Sequence, residues 1–467
     1  MKRPPSGVLT MTAPVSVIRP STMKSWVGAL FLAGVFGAAG GAAQDRVLVL
    51  EGGTLIDGTG LNPVPDSVIV VQGTRIKAVG TRGQLSYPPT GTIIKLDGRT
   101  ILLGLIDGHV HLREYQLPMF LPYGVTTIAD IHNDTAWSIA QRDALRSGRI
   151  RGPRLFVSGA RVTGPLGAPT TDGSYVRTVD EARAYVRTLA AAGVDHIKVD
   201  LTITEEQLRA VIEEANARGL RALGHTQDIR KAVAMGFKHM EHTDTMARSL
   251  LAQAGKEIPR GSSPEAIVDP KLFPPLIDYL VKQGVYVNPT LVLVWGASTE
   301  RWRDWTATKA QIVNDPGLAF VPADAKAAWT REPGPARAGY ANVAVFLRQY
   351  AEAGGKVLAA TDTGIPPIVP GLSLHEEMRM LTDTGIPPMR ALQGATLWAA
   401  EVIGRDKDLG SVEPGKLADF TVIEGNPLAD IRATTRVRMV IKGGEVMETA
   451  YDPKWVNPIP RPGGNGR

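Results

Sequence analysis

A run of this chain reads Asp107-Gly108-His109-Val110-His111, placing two imidazoles at i and i+2 directly after the apolar stretch "LLGLI". On an extended strand alternate side chains share a face, so both rings can address one ion. Two further histidines end short apolar runs, His225 in "ALGHT" and His242 in "MEHTD"; an aspartate, Asp362, ends another in "KVLAATDTG". Four of the eight histidines thus fall where apolar runs stop. Histidines that only pack or face water have no such preference. A lysine, Lys198, lies inside the apolar run "HIKVD". A buried ammonium is costly and gives up its proton readily near divalent cations. The neutral amine adds carbon dioxide to form a carbamate, an anion able to bridge two metals.

The elements that would position these residues alternate. From about Ile101 to Ala360, eight β-branched runs are separated by stretches of helical period such as "TVDEARAYVRTLAAAG" and "TEEQLRAVIEEANARG", each stopped by glycine. Eight strand–helix units in this length predict an α/β fold, a (β/α)8 TIM-type barrel over residues 104–404, with a doubly wound open sheet as the alternative. In such a barrel reactive groups sit where strands end at their C-terminal edge. His109, His111, Lys198, His225, His242 and Asp362 all qualify.

The heptapeptide "TDTGIPP" occurs twice, at Thr361–Pro367 and Thr382–Pro388. The first copy follows the eighth strand run, so Asp362 is expected at the active edge. The second follows "LSLHEEMRML", read as a helix opened by a Ser373–Glu376 capping box and stopped by Gly385, with Pro387 in the first turn of the next helix. Asp383 is therefore expected at the structural face.

Residues 44–103 and 405–450 lose the helical period and read as strand–turn–strand, predicted to combine into one small β-sandwich from both ends of the chain. Residues 451–467, rich in Pro and Gly, are expected to be a loosely ordered tail. Residues 295–340 form an excursion with four tryptophans, read either as a lid over the mouth or as an outer insertion. Residues 1–43 read as an export signal: a lysine after Met23, an apolar run and small residues before Gln44. This predicts a periplasmic or secreted protein without a stable membrane anchor after cleavage, and leaves open whether Met1 or Met23 is the start. The apolar run is short for a membrane span, and an uncleaved anchor is the alternative.

Bulk properties narrow the partners. Of the net charge of +6, +4 lies in residues 1–43, and no Lys/Arg-dense run follows, so nucleic acid has no support as a partner. With no cysteine the chain folds without disulfides and carries no cysteine for lipidation. A small-molecule substrate is expected; a homo-oligomer is left open.

The ordered set "GLIDGHVHL", "HIKV", "GHT", "MEHTD", "TDTG" and "LGSVEPGKLADFTVIEGNPLADI" resembles the amidohydrolase superfamily, nearest to its prolidase-like and imidazolonepropionase-like branch. The resemblance implies two divalent ions, zinc above all: His109, His111 and Asp362 would hold the first, His225 and His242 the second, and carbamylated Lys198 would bridge them. It implies hydrolysis of a C–N amide bond in a small molecule, an N-acyl amino acid or dipeptide, by a hydroxide shared between the ions. Asp362 would act as general base and then acid. A lactonase or cyclic-amide hydrolase on the same ions is the alternative; a one-metal deaminase has no need of Lys198, and a non-catalytic binding module would lack ligands. Two loops depart from prolidase-like relatives, "VDLTIT" after Lys198 and "TGPLGAPTTDG" after the third strand. Weaker substrate contacts are expected from His132, Arg161, Tyr175 and Arg177; His196, His239 and His375 are read as structural.

Overall fold

In the computed structural model, residues 46–89, 91–170, 173–296, 302–331 and 336–462 are described, without the side chains of 302–307. The expected export signal lies outside them. Eight parallel strands follow one another along the chain: β6 (Leu105–Val110), β7 (Val125–Asp130), β8 (Arg154–Val157), β9 (Ile197–Val199), β10 (Ala222–Gly224), β11 (His239–Glu241), β12 (Tyr286–Asn288) and β13 (Lys356–Val357). They are the eight runs picked from sequence. Their ladders form three groups, β6-β7-β8, β9-β10 and β11-β12-β13. Isolated parallel bridges join Val162 to Val199 and Val110 to Thr363, linking the first group to the second and the last to the first. The ladder does not continue between β10 and β11.

The intervening helices show why the sequence folds locally as it does. In the helix Val179–Ala192, Thr178 caps the N-terminus by accepting from Glu181 N at 3.1 Å, and Ala182, Val186 and Leu189 form the buried stripe. Gly193 ends it at φ +89°, a conformation that costs glycine least. The helix Glu205–Ala217 opens with a capping box between Thr204 and Gln207. Between β6 and β7 no α-helix forms; two 3-10 turns, Leu117–Met119 and Leu121–Tyr123, make the connection.

The two copies of "TDTGIPP" separate as expected, with one change of detail. The helix Leu372–Asp383 starts after Gly371, and Ser373 lies inside it, its hydroxyl accepting from Val369 N at 3.0 Å. The Ser373–Glu376 capping box therefore does not form. Gly371 (φ +77°) packs against Met119 O and Tyr123 where a Cβ would collide, and this close turn sets the helix start two residues early. Gly385 (φ +99°) follows the helix, and Pro388 rather than Pro387 opens the next. Arg390 donates to Gly355 O at 2.6 Å, just ahead of β13, whereas Asp362 follows that strand's other end. Asp383 is exposed.

Both chain ends meet, as expected, and their strands pair edge to edge in one continuous path. With β1 (Val47–Leu55), β2 (Val64–Gln72), β3 (Arg75–Thr81), β4 (Thr92–Lys95), β5 (Arg99–Leu103), β14 (Phe420–Glu424), β15 (Val437–Lys442) and β16 (Glu445–Val446), its order is β16-β15-β14-β5-β1-β2-β3, β4 also pairing β1. Alternation along β1 separates the faces: Leu48 and Leu50 pack with Ile69, Ile101, Phe420 and Ile441, while Val49 packs with Val68 and Val70. Gly104 N bonds Asp419 O at 2.9 Å and Thr421 Oγ1 donates to Gly124 O at 2.8 Å, fixing this sheet against the entry to β6 and β7.

The end of the chain is not loose over its described part. Residues 451–462 lack regular structure, yet Ile459 O accepts from Trp137 Nε1 at 3.0 Å and from the buried amide of Gln141 at 2.9 Å, and Trp455 packs on the main core. Aromatic and amide anchors override the Pro/Gly composition. Truncation after Lys454 leaves both donors without that acceptor, and we expect it to destabilise the protein by about 2–4 kcal/mol. Thermal denaturation checks this; an unchanged midpoint would contradict it.

Candidate metal centre

The ends of β6, β11 and β13 bring three imidazoles to one carboxylate. His109 Nε2 lies 3.3 Å and His111 Nε2 3.0 Å from Asp362 Oδ1, and His242 Nε2 lies 3.7 Å from Asp362 Oδ2. Each ring is held by its other nitrogen. His111 Nδ1 faces His132 O at 3.4 Å, and His242 Nδ1 lies 2.5 Å from Thr290 Oγ1, whose own hydrogen goes to Pro289 O. His109 Nδ1 meets Glu241 Oε1. The His225 ring stacks on that of His242 with centroids 5.0 Å apart.

Backbone geometry makes this convergence possible. His242 (φ +55°) and Asp362 (φ +61°) adopt the left-handed region that side chains other than glycine rarely enter. At the end of β11 this turn lets Glu241 and His242, adjacent in sequence, both reach toward His109 and Asp362. Thr290, the partner of His242, shares the strain at φ +44°. Such conformations cost about 1–3 kcal/mol each and persist where surrounding structure enforces them. Behind Asp362 a buried carboxylate, Asp107, accepts from Thr361 Oγ1 at 2.6 Å and Thr361 N at 3.1 Å, pinning β6 to the residue before Asp362. Burial lifts the Asp107 carboxyl to about 6, the bonds from Thr361 opposing that rise.

Lys198 is 2 % exposed, and burial pushes its amine below the usual lysine range against the attraction of Glu241 and Asp362. Its Nζ has no hydrogen-bond partner, nor do His109 Nε2 and Asp362 Oδ1. Orphaned buried polar atoms of this kind are expensive in a native fold. Donors of metal-ligating type gathered without mutual hydrogen bonds fit a cation. His109, His111 and Asp362 can offer ligand atoms all within 4.8 Å of one another, and nitrogen with carboxylate oxygen suits zinc among divalent ions. Asp362 is drawn well below the ordinary carboxylate range; burial opposes its ionisation, and His109 and His111 beside it prevail.

The weaker sequence candidates separate. The His132 ring is 6.0 Å from that of His111, at the edge of the cluster. Arg161 pairs with Asp200 at 3.2 Å, and its charge is felt at Lys198, so it borders the site. Tyr175 is half-buried and its backbone bridges Thr163. Arg177 is exposed, 3.9 Å from Glu181 at the start of the next helix. His375 is structural, held by Thr434 Oγ1 and Tyr123 O, both at 2.9 Å. His196 is buried with both ring nitrogens unbonded. His239, read as structural, lies 3.3 Å from Glu241 Oε2. The reading of the sequence passed over Glu241, Asn288, Thr290 and Asp107. The signal for Glu241 was an acid inside a buried three-residue strand beside a candidate ligand.

Within the excursion at 295–340, residues 297–301 and 332–335 and the side chains of Trp302 and Trp305 lie outside the described residues. Trp329 is buried with Met119, Val369 and Leu372, and Lys309 Nζ donates to Pro367 O at 2.9 Å. The excursion thus packs on the loops that follow β6 and β13, at the end of the strands that carries the cluster. A cavity of about 390 Å³, lined by Asp200, Thr204, His225, Gln227 and Asp228, opens beside His225. Another of about 390 Å³, lined by Ala222, Lys238 and Tyr286, lies at the starts of the strands, away from Asp362.

Known proteins resemble this chain along most of its length. The amidohydrolase family matches residues 100–447, and the chain belongs to that family, a class of metal-dependent hydrolases of carbon–nitrogen bonds with a TIM-barrel fold. An adenine deaminase of Rubrobacter xylanophilus is 27 % identical over 432 residues, covering 86 % of this chain and 57 % of that protein. An imidazolonepropionase of Geobacillus thermodenitrificans is 35 % identical over 108 residues, 22 % of this chain and 25 % of the relative. The chain thus spans less than two thirds of these curated relatives. A solved Xaa-Pro dipeptidase with methionine bound in its active site has a TM-score of 0.64 and 25 % identity, over 86 % of this chain and all of the other. Molinate hydrolase has a TM-score of 0.67 at 21 % identity, over 87 % and 95 %, a likeness of fold.

If the cluster holds a cation, Asp362→Ala lowers bound zinc by at least one equivalent after equilibration and dialysis. His132→Ala leaves it unchanged, since His111 meets the backbone oxygen of residue 132. Elemental analysis of the purified variants decides; equal zinc in wild type and Asp362→Ala would contradict the site.

Proposed function

We propose that this chain is a two-metal hydrolase that cleaves the C–N amide bond of an N-acyl amino acid or dipeptide-like small molecule, its parallel strands forming a (β/α)8 barrel. The observation that carries the reading is the convergence of His109, His111 and His242 on the buried Asp362 beside an unbonded Lys198 amine. His109, His111 and Asp362 would hold one ion and His225 and His242 the other. Lys198 would serve both as a carbamate: its neutral amine adds to carbon dioxide, forming an N–C bond and releasing one proton. When bound, zinc supplies Lewis acidity toward the scissile carbonyl and lowers the pKa of water.

The chain's own groups then manage protons. Asp362, kept anionic by its imidazole neighbours, takes the proton of the attacking water and returns it to the departing nitrogen, without which an amine is a poor leaving group. Oδ1 faces His109 and His111 at 3.3 and 3.0 Å, while Oδ2 has only the longer 3.7 Å approach of His242 Nε2 and would make this transfer. A cavity of about 390 Å³ beside His225 suits a molecule of dipeptide size, and Arg161, paired with the lining residue Asp200, suits a substrate carboxylate. The relatives named as deaminase and imidazolonepropionase also act on C–N bonds, and the dipeptidase structure supports the dipeptide-like class. The leader at residues 1–43 is part of the same proposal, as the export signal of a periplasmic or secreted enzyme.

Asp362→Asn is expected to retain metal and to lose turnover by about 10²–10⁴-fold; full activity would remove this role. Lys198→Ala is expected to lose metal and regain part of its activity with short carboxylic acids. Normal metal content and activity in that variant would remove the carbamate. A panel of N-acyl amino acids, Xaa-Pro dipeptides and lactones fixes the substrate class, and turnover confined to lactones would favour the alternative chemistry.

A further inference from the structure

Glu241 has no part in the reaction just described, yet it is wholly buried, with a side chain 0 % exposed. Its Oε1 takes His109 Nδ1 and also the amide of Asn288, whose Nδ2 donates at 2.7 Å. Its Oε2 faces His239 Nδ1 at 3.3 Å. Asn288 Nδ2 lies 3.4 Å from His109 Nδ1, so both nitrogens address one carboxylate oxygen. Burying a carboxylate in this position is costly unless its partners compensate.

The three imidazoles that converge on Asp362 are not anchored alike. His111 and His242 rest on neutral oxygens, the carbonyl of His132 and the hydroxyl of Thr290. Only His109 rests on a carboxylate. A neutral imidazole carries one hydrogen, and the hydrogen bond made by one nitrogen decides which form the other presents. A carboxylate at Nδ1 holds the hydrogen there and leaves a lone pair at Nε2, the atom 3.3 Å from Asp362 Oδ1. Anchoring by an anion also makes the free nitrogen a stronger donor than anchoring by a neutral oxygen.

We infer that Glu241 is a positioning residue for metal binding: held by the Asn288 amide, its carboxylate fixes the hydrogen of His109 on Nδ1 and so presents the Nε2 lone pair to the cation. The assignment of the hydrogen stands on geometry alone; the gain in metal affinity rests on the function proposed above. The constraint explains why Glu241 and His242 must both turn inward, and hence why His242 takes a left-handed backbone.

The test uses full-length protein with ¹⁵N-labelled histidines, assigned by single substitutions, together with zinc titration. In the metal-free wild type, at a pH high enough to leave the His109 ring neutral, that ring should show a protonated Nδ1 and a bare Nε2. Glu241→Ala should scramble that pattern and raise the zinc Kd by about 10–100-fold, the usual effect of losing an outer partner of a ligating histidine. Glu241→Gln, in which Asn288 keeps an oxygen facing His109, should retain the pattern but still raise the Kd, since the charge is gone. A neutral wild-type ring with its hydrogen on Nε2 would overturn the inference, as would a folded Glu241→Ala with unchanged spectrum and Kd. Should Glu241→Ala fail to fold, an unchanged Kd in Glu241→Gln overturns it. A wild type that binds no zinc defeats the proposed function, while the nitrogen spectrum still decides the hydrogen's place.

Discussion

Asp362 sets the terms for everything around it. A carboxylate that is 3 % exposed must be compensated by charge or hydrogen bonds, and this one faces three imidazole edges within 3.7 Å. Two of those edges and the lysine amine beside them belong to separate strands, so the cluster exists only while β6, β9, β11 and β13 keep their register. The parallel pairs Leu223–Lys198 and Glu241–Asn288, and the bridge from Val110 to Thr363, hold that register in place. Asp107, bonded to Thr361, supports it from behind.

The energetic consequence is a fold that concentrates strain where it concentrates chemistry. His242, Thr290 and Asp362 are three of the four non-glycine residues with positive φ among those described, and all three are in the cluster or touch it. Elsewhere the backbone is eased by glycine: Gly364, two residues beyond Asp362, passes so near His111 O that a Cβ would meet it at 1.9 Å. Packing meets the cost. Apolar contacts of the excursion, through Trp329 against Met119, Val369 and Leu372, hold the loops that follow β6 and β13. The final segment fastens the helix after β7 through Trp137 and Gln141.

Much of this was legible in the sequence because buried parallel strands read as short apolar runs, and a polar residue ending such a run is conspicuous. His109, His111, Lys198, His225, His242 and Asp362 all stood out on that ground. What stayed hidden depends on chirality and on distant partners. Glu241 precedes His242 on the same strand, and simple alternation would send it to the other face; only the left-handed backbone at His242 brings both inward. Asn288 and Thr290 come from another strand entirely. The start of the helix at Leu372 depended on a close approach of Gly371 to Met119, which no local propensity encodes. The anchoring of residues 451–462 was hidden for a similar reason: composition describes the segment, whereas a buried Trp137 indole decides where Ile459 lies.

The most direct measurement is a crystal structure of the zinc-equilibrated protein with anomalous scattering recorded across the zinc edge. Peaks about 2.0–2.2 Å from His109 Nε2, His111 Nε2 and an Asp362 oxygen, with a second beside His225 and His242, are the expected result. An anomalous map with no peak among these side chains, at zinc concentrations that occupy the protein elsewhere, would contradict the assignment of this cluster as a metal centre.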